Sequence, residues 1–219
     1  MKTSRRISRS YSWLLAVAAC VASCGDSHPV PEKVAPVPLG AVPTLPADKG
    51  DEWMAYYQSQ VPSFSLKGFH LKDTSSLTVI PGNVHGSFDP EFDPIYANFL
   101  LFSPDKKRYL DIDSYQWSLG KDQEIASAPD QEINLVDLKA QTVERIAFRG
   151  PSQWVEDACW KSNSVVCLLE NSSEGTPTIT EIDLAAGTIR TYVYNDPLPF
   201  KSKYSSLRIK RLSGLKEVQ

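Results

Sequence analysis

Two stretches of this chain repeat each other, VDLKAQTVERIAF at 136–148 and IDLAAGTIRTYVY at 182–194. Each starts with a β-branched residue followed by Asp and Leu, and each ends in a run rich in β-branched and aromatic residues. Because such residues are typical of strands, each stretch predicts a strand, a tight turn and a second strand. Gly187 supplies a positive φ at the second turn, whereas Gln141 holds that position in the first without glycine's freedom.

A further hairpin pattern precedes each copy of the repeat. The segments are NFLLFSPDKKRYLDIDSY at 98–115 and VEDACWKSNSVVCLLEN at 155–171. Each contains two apolar runs that are separated by turn-forming Pro, Asp, Ser or Asn residues. Each unit therefore consists of four short strands.

The two units resemble blades of a β-propeller. FSPDKKRYL is similar to the SPDG hairpin of many periplasmic propeller blades, and IDLAAGTIR is similar to their outer hairpin. The resemblance covers about 98–194, and closed propellers usually need about four to eight blades. We therefore predict an all-β fold, mostly an antiparallel sheet of short hairpins whose propeller-blade-like meanders do not close into a full propeller. A propeller completed by other chains is the alternative.

The segments that flank the repeats predict the remaining elements. DEWMAYYQSQ at 51–60 predicts a short N-terminal helix, because Asp51 can cap it and Pro62 follows its end. Residues 62–97 and 203–212 are predicted to add a few strands. Five basic residues near the C-terminus, at strand spacing, predict a solvated face or else a patch for acidic lipid or polysaccharide. They are Lys201, Lys203, Arg208, Lys210 and Arg211.

The N-terminus predicts a secretory signal. It is basic, has no acidic residue before Asp26, and continues into an apolar run that is shorter than the about 20 residues of a membrane-spanning helix. Val21-Ala22-Ser23-Cys24 resembles the bacterial lipobox, and this resemblance implies cleavage before Cys24 and acylation of its thiol. Cys20 is the alternative acylation site, with a shorter apolar run before it.

The predicted organisation has three parts: a lipoprotein signal peptide at 1–23, the lipidated Cys and a Pro-rich tether at 24–49, and a single all-β domain at 50–219. Prolines in the tether favour an extended polyproline conformation; a ligand for a proline-binding module is the alternative interpretation. Gly25 rather than an acidic residue follows Cys24, which in the lipoprotein family favours the outer membrane. We therefore expect a lipid-anchored protein of the cell envelope, attached to the membrane through covalent lipid.

The charge of the chain excludes one class of partner. The chain has 23 basic and 26 acidic residues, and the first 23 residues hold four basic and no acidic ones, so the rest carries a net charge of −7. Nucleic-acid binding requires a basic surface. We therefore expect no nucleic-acid partner.

Cys159 and Cys167 are candidates for a disulfide. If Ser162-Asn163-Ser164 forms a three-residue loop, the two cysteines face each other across a hairpin, and an oxidising periplasm would favour the bond. Two buried free thiols are the alternative. The sequence contains no Cys-x-x-Cys motif, and neither interpretation predicts a catalytic thiol.

A metal site has only weak candidates in this sequence. His70 and His85 could combine with Asp89, Glu91 or Asp93, but their spacing matches no known ligand motif, and Asp before Pro is ordinary turn chemistry. We predict no metal and no cofactor.

Asp111 and Asp113 share one face if their segment is a strand. They could contribute to calcium binding, but the segment lacks the pattern of a calcium loop. We expect both carboxylates to be exposed.

The sequence has no nucleophile elbow, P-loop or dinucleotide fingerprint. With an anchor, a spacer and no converging catalytic set, it predicts a non-catalytic binding or scaffold module that faces the periplasm or the cell surface. Its expected partner is an envelope protein or a glycan, at a binding site that the sequence does not locate. A carboxylate- or metal-dependent envelope hydrolase is the alternative.

Overall fold

The structure is a computed structural model that describes residues 42–46, 50–120 and 125–214. The predicted signal peptide, Cys20, Cys24 and most of the tether lie outside the described residues. Among the helices that are described, none has the length and apolar character needed to cross a membrane.

Short antiparallel strands form most of the described structure, as predicted. They are β1 (Phe69–Ser76), β2 (Ile80–Pro81), β3 (Leu101–Phe102), β4 (Arg108–Asp111), β5 (Trp117–Leu119), β6 (Ile125–Ser127), β7 (Gln131–Asp137), β8 (Thr142–Arg149), β9 (Gln153–Trp160), β10 (Val165–Ser172), β11 (Thr178–Asp183) and β12 (Thr188–Tyr194). The helices are α1 (Asp51–Gln60) and α2 (Tyr204–Ser213), with 3-10 turns at Leu66–Gly68 and Pro94–Phe99.

The strands form two five-stranded sheets. Sheet 1 has the order β2-β8-β7-β4-β3 and sheet 2 the order β1-β12-β11-β10-β9, while β5 and β6 form a separate hairpin between β4 and β7. Each large sheet is thus a four-stranded meander, extended at its outer edge by a strand from the segment before the repeats. The all-β prediction is confirmed, and none of the described sheets closes into a barrel or propeller.

The repeated Asp organises the same turn in both units. Asp137 Oδ1 accepts hydrogen bonds from the backbone N–H groups of Lys139 and Ala140 at 2.9 and 2.8 Å. Asp183 Oδ1 accepts the equivalent pair at 3.0 and 2.9 Å. Gly187 has φ 63° and Gln141 has φ 55°, so Gln141 adopts the left-handed conformation that glycine adopts without strain.

Sheets 1 and 2 share one hydrophobic core. Sheet 1 contributes Leu110, Ile133 and Leu135, and sheet 2 contributes Val166 and Leu168, together with their neighbours. Full burial of each such side chain stabilises the fold by about 1.5–3 kcal/mol. The core therefore fixes the two sheets against each other.

A second, aromatic core covers the other face of sheet 2. Trp53 and Tyr57 lie four residues apart on α1, so they share a helix face, and both are fully buried. Their ring centroids are 4.6 Å apart, and Tyr57 stacks on Phe64 at 4.8 Å. The predicted helix at 51–60 is confirmed, although Gly50, with φ 77°, occupies the N-cap and Asp51 lies in the first turn.

Three expectations were wrong. Residues 203–212 were predicted to add a strand, but Tyr204–Ser213 is helix α2, and Arg208 is buried instead of lying on a solvated face. Asp111 and Asp113 are 2 % and 1 % exposed. Asp113 is buried because it pairs with Arg208, a partner 95 residues away that no local pattern reveals.

Candidate functional site

A cavity lies at one end of sheet 2. There β9 begins and β10 and β12 end, so the connections before β9, after β10 and after β12 meet. Together they enclose about 530 Å³, within the usual range of about 300–1,000 Å³ for ligand sites. The lining includes Pro151, Trp154, Ser172, Glu174, Phe200 and Lys201.

A second cavity of about 260 Å³ adjoins the first, because both are lined by Trp154, Lys201 and Ser202. It adds Trp117, Lys203 and Ser205, among others. We call the two linings together the Trp154 groove. The buried Ser205 Oγ has no hydrogen-bond partner among the described residues, so the groove wall contains an unsatisfied hydroxyl.

Strand β9 has a β-bulge next to Trp154. Asp157 pairs with Leu169 and Val155 with Glu170, so Glu156 is an extra residue in β9. A bulge redirects the side chains next to it, and Glu156 and Asp157 consequently both reach the helices on the same side of the sheet. Such a break in the alternation is invisible in the sequence pattern.

Glu156 is a buried hydrogen-bond hub. Its Oε2 accepts from Trp53 Nε1 at 2.8 Å and from the Tyr57 hydroxyl at 2.7 Å, and its Oε1 accepts from Trp154 Nε1 at 3.4 Å. Burial raises the pKa of this carboxyl, although hydrogen bonds to Ser202 and to the aromatic side chains act in the opposite direction. The hub therefore ties Trp154 to helix α1.

Helix α2 is fixed by a buried ion pair. The Arg208 guanidinium contacts both carboxylate oxygens of Asp113, at 3.0 and 2.5 Å, and its Nε donates to the Glu156 carbonyl at 2.8 Å. Burial alone would lower the pKa of Arg208, but the charge of Asp113 outweighs it and raises that pKa, which keeps the guanidinium charged. Because Lys203 N also donates to the Tyr56 hydroxyl at 2.8 Å, the lysine segment of the groove is held at the start of α2.

The structure pairs Cys159 directly with Cys167 across β9 and β10. Lys161 N donates to the Val165 carbonyl at 2.8 Å, as expected for the three-residue loop. Both cysteines are buried, free thiols in the structure. A side-chain hydrogen bond to Cys159, together with burial, raises the pKa of the Cys167 thiol, so the disulfide stays a prediction.

Three of the five weak metal candidates lie together. His85 Nδ1 is 3.0 Å from Asp89 Oδ2 and 3.6 Å from Glu91 Oε2. A hydrogen bond to Asp89 raises the pKa of His85, and a backbone hydrogen bond from Glu91 lowers the pKa of Asp89.

The other two candidates have separate contacts. His70 lies on β1, where its Nδ1 is 2.8 Å from Asn195 Oδ1. Asp93 caps the 3-10 turn by accepting from Ile95 N at 3.0 Å. Neither residue belongs to the cluster around His85.

Comparison of the chain with protein-family models, with curated proteins and with solved structures gave no match. The proposed function therefore rests on geometry and chemistry. Sequence reasoning missed both Trp154 and Glu156; the one usable signal was their spacing of two residues on a strand, which places them on one face.

Proposed function

We propose that this protein is a lipid-anchored, non-catalytic binding module of the cell envelope, facing the periplasm or the cell surface, and that it binds glycan in the Trp154 groove. The observation that carries the proposal is the aromatic and lysine-lined groove at the end of sheet 2. The anchor is the acylated thiol of Cys24, joined to the domain by the Pro-rich tether, at the outer membrane.

The lining of the groove suits a sugar chain. Trp154 and Trp117 offer flat apolar surfaces with a polar N–H edge, against which the C–H faces of sugar rings can pack. Lys201 and Lys203 supply ammonium donors that can bind glycan hydroxyls or carboxylates.

The groove is also preorganised for binding. Trp154 is held by the Glu156 hub, and the lysine segment is held by Tyr56 and helix α2. A side chain that is already ordered loses less entropy when a ligand binds; that loss is about 0.5–1.5 kcal/mol for each mobile side chain. This support lowers the entropy cost of ordering Trp154 and the Lys203 backbone when a ligand binds.

The best-buried carboxyl near the groove supports binding rather than catalysis. Both oxygens of Glu156 already accept hydrogen bonds from aromatic side chains. A glycosidase needs two carboxyl groups on either side of the scissile bond, about 5–9.5 Å apart. In our proposal Glu156 instead positions Trp154.

The test of the groove uses the purified full-length chain and glycan isolated from bacterial envelopes. We expect Trp154→Ala to weaken binding by about tenfold or more, which corresponds to about 1.4 kcal/mol. Phe148→Ala is the matched control, because Phe148 is an exposed aromatic residue on β8 that lines neither cavity. Binding that Trp154→Ala leaves unchanged, or turnover of the glycan, would contradict the proposal.

The anchor is tested separately by metabolic labelling with a palmitate analogue. We expect the full-length chain to take up label and the Cys24→Ala variant to lose it, while Cys20→Ala keeps it. Label that persists in the double variant would refute acylation at these thiols. A chain without any label would remove the envelope assignment but not the glycan-binding groove.

A further inference from the structure

The loop that joins β2 to the second 3-10 turn covers the outer face of sheet 1, and it is attached to the sheet at two points. Asn83 donates its backbone N–H and its side-chain Nδ2 to the buried Glu132, at 3.1 and 2.6 Å. Ser87 N donates to the hydroxyl of the buried Tyr109 at 2.7 Å. Neither attachment uses the side chains of His85, Asp89 or Glu91.

Along the chain, His85 lies between these two attachments, and Asp89 and Glu91 follow the second one. Their side chains bring one imidazole nitrogen and two carboxylate groups close together. His85 Nδ1 lies 3.0 Å from Asp89 and 3.6 Å from Glu91, and the three ligand atoms all lie within 4.8 Å of one another. A tetrahedral zinc ion with bonds of about 2.0–2.2 Å holds its ligand atoms about 3.3–3.6 Å apart. Both distances from the imidazole nitrogen are near that separation, so a small closure between the two carboxylates would complete the triangle.

We propose that His85 Nδ1 and one carboxylate oxygen each from Asp89 and Glu91 bind a single zinc ion. Imidazole and carboxylate ligands suit zinc, and a neutral imidazole with two carboxylates balances the charge of a divalent cation. The ion would also relieve the repulsion between two carboxylates that lie side by side. His85 and Glu91 are exposed, so the ion has a direct path from solvent.

The fourth position of this zinc is open. A cavity of about 290 Å³ adjoins the cluster, lined by His85 and Glu91 together with Tyr96, Ser114 and Tyr115. Zinc sites with three protein ligands and an open position bind water or a small anionic ligand there. None of these residues lines the Trp154 groove, so the zinc site is a second site, independent of glycan binding.

The test is zinc titration of the metal-free full-length chain by calorimetry, with elemental analysis after dialysis. We expect one zinc per chain. Because even outer-shell changes weaken zinc sites by about 10–100-fold, we expect His85→Ala and Asp89→Asn each to weaken binding by at least that range. His70→Ala is the matched control, since His70 is also exposed but lies on β1 of sheet 2, where it contacts Asn195.

Two results would overturn the zinc site: a wild-type chain that binds no zinc, or zinc binding that is equally strong in His85→Ala and His70→Ala. Circular dichroism melting curves show whether each variant is folded, and the exposure of His85 makes unfolding of its variant unexpected. Absorption of the cobalt-substituted protein gives an independent measurement, because the bands of tetrahedral cobalt should disappear in His85→Ala. Trp154→Ala should leave zinc binding unchanged, so the zinc and glycan proposals fail separately.

Discussion

Sheets 1 and 2 are built from the same meander, yet their outer faces are covered in different ways. Helices α1 and α2 cover sheet 2 with an aromatic core, and α2 is fixed by the buried ion pair between Arg208 and Asp113, which lies two residues after β4 of sheet 1. A loop with a single 3-10 turn covers sheet 1, held through Glu132 and Tyr109. The internal repeat therefore specifies strands and turns, whereas the segments outside it specify the two covers.

The candidate sites lie beside the segments that cover the sheets, and not in the repeated hairpins at 136–148 and 182–194. The Trp154 groove lies where the connections of sheet 2 meet the segment before α2. The proposed zinc ligands lie in the loop over sheet 1. Connections tolerate sequence change better than the strands they join, so a repeated scaffold can place unrelated chemistry on each sheet.

The largest expected effect separates the buried ion pair that fixes α2, Arg208 with Asp113, from the partly exposed pair of Arg145 with Glu132 in sheet 1. Arg208→Met should lower the free energy of unfolding by about 3–5 kcal/mol, because it leaves the Asp113 carboxyl buried without its partner. Arg145→Met removes the partner of Glu132, but Arg145 is a quarter exposed and Asn83 still binds the glutamate, so we expect a smaller loss of about 1.5–3 kcal/mol. Urea unfolding measures both; equal losses would show that the two covers are energetically alike.

The second prediction concerns the cysteine pair, which only sheet 2 has among the described strands. With oxidised glutathione, the thiols of Cys159 and Cys167 should give up two protons and two electrons and form a disulfide. Because the bond closes a short loop, it should stabilise the protein by about 2 kcal/mol, at the low end of the usual range. Thiol titration of the unfolded chain measures the oxidation, and Cys159→Ala and Cys167→Ala should abolish the stability difference between oxidised and reduced protein. The titration is made on the Cys20→Ala, Cys24→Ala double variant, so that Cys159 and Cys167 are the remaining two of the four cysteines. Two reactive thiols left in this variant after oxidation would contradict the pairing.

The third prediction compares the fully buried glutamates behind the two covers, which should respond to pH with opposite signs. Burial raises the pKa of Glu156 above its usual 4.5, so the stability that it contributes is present at low pH and is lost as the pH rises through the raised pKa. Burial also acts on Glu132, but hydrogen bonds from Asn83 and Arg145 outweigh it and lower its pKa below 4.5. Its contribution is therefore present above that pH and is lost as the pH falls through the lowered pKa.

Urea unfolding of Glu156→Gln and Glu132→Gln, from about pH 3 to pH 8, tests the two signs. The advantage of wild type over Glu132→Gln should grow with pH, whereas its advantage over Glu156→Gln should shrink. Each variant serves as the control for the other, since both replace a buried carboxylate by an amide of the same size. If the stability advantage of wild type changed with pH in the same direction for both variants, the covers would not determine the environment of these carboxyl groups.

The two sheets also differ in how much of their structure could be predicted from the sequence. The hairpins of both sheets were predictable, because turn chemistry is local: Asp137 and Asp183 each bind backbone two and three residues ahead. Helix α1 was predictable from its cap region and Pro62. The Trp154 groove was not predictable, because it assembles three distant connections and depends on a bulge at Glu156 that breaks the alternation.

Helix α2 could not be predicted from the sequence for a different reason. The sequence predicts a solvated face, or else a patch for acidic lipid or polysaccharide, for its basic residues, but Tyr204 and Arg208 lie four residues apart and share the buried helix face. The burial of Arg208 depends on its pairing with Asp113, which precedes it by 95 residues. All five weak metal candidates were named from the sequence, but only the fold shows that three of them lie together in the loop over sheet 1.

The smallest effect tests the turns, where the two sheets should be most alike. Gln141 has φ 55° and Gly187 has φ 63° at equivalent positions, and a Cβ at Gly187 would meet no atom within 4 Å. A side chain there therefore has room, and the cost of Gly187→Gln is backbone strain alone, about 1 kcal/mol. Gln141→Gly relieves the same strain but makes the unfolded chain more flexible, so we expect a gain of less than about 0.5 kcal/mol. Urea unfolding of both variants and of the double variant measures the difference; a loss at Gln141→Gly as large as that at Gly187→Gln would show that the side chain of Gln141, and not the turn conformation, stabilises the first hairpin.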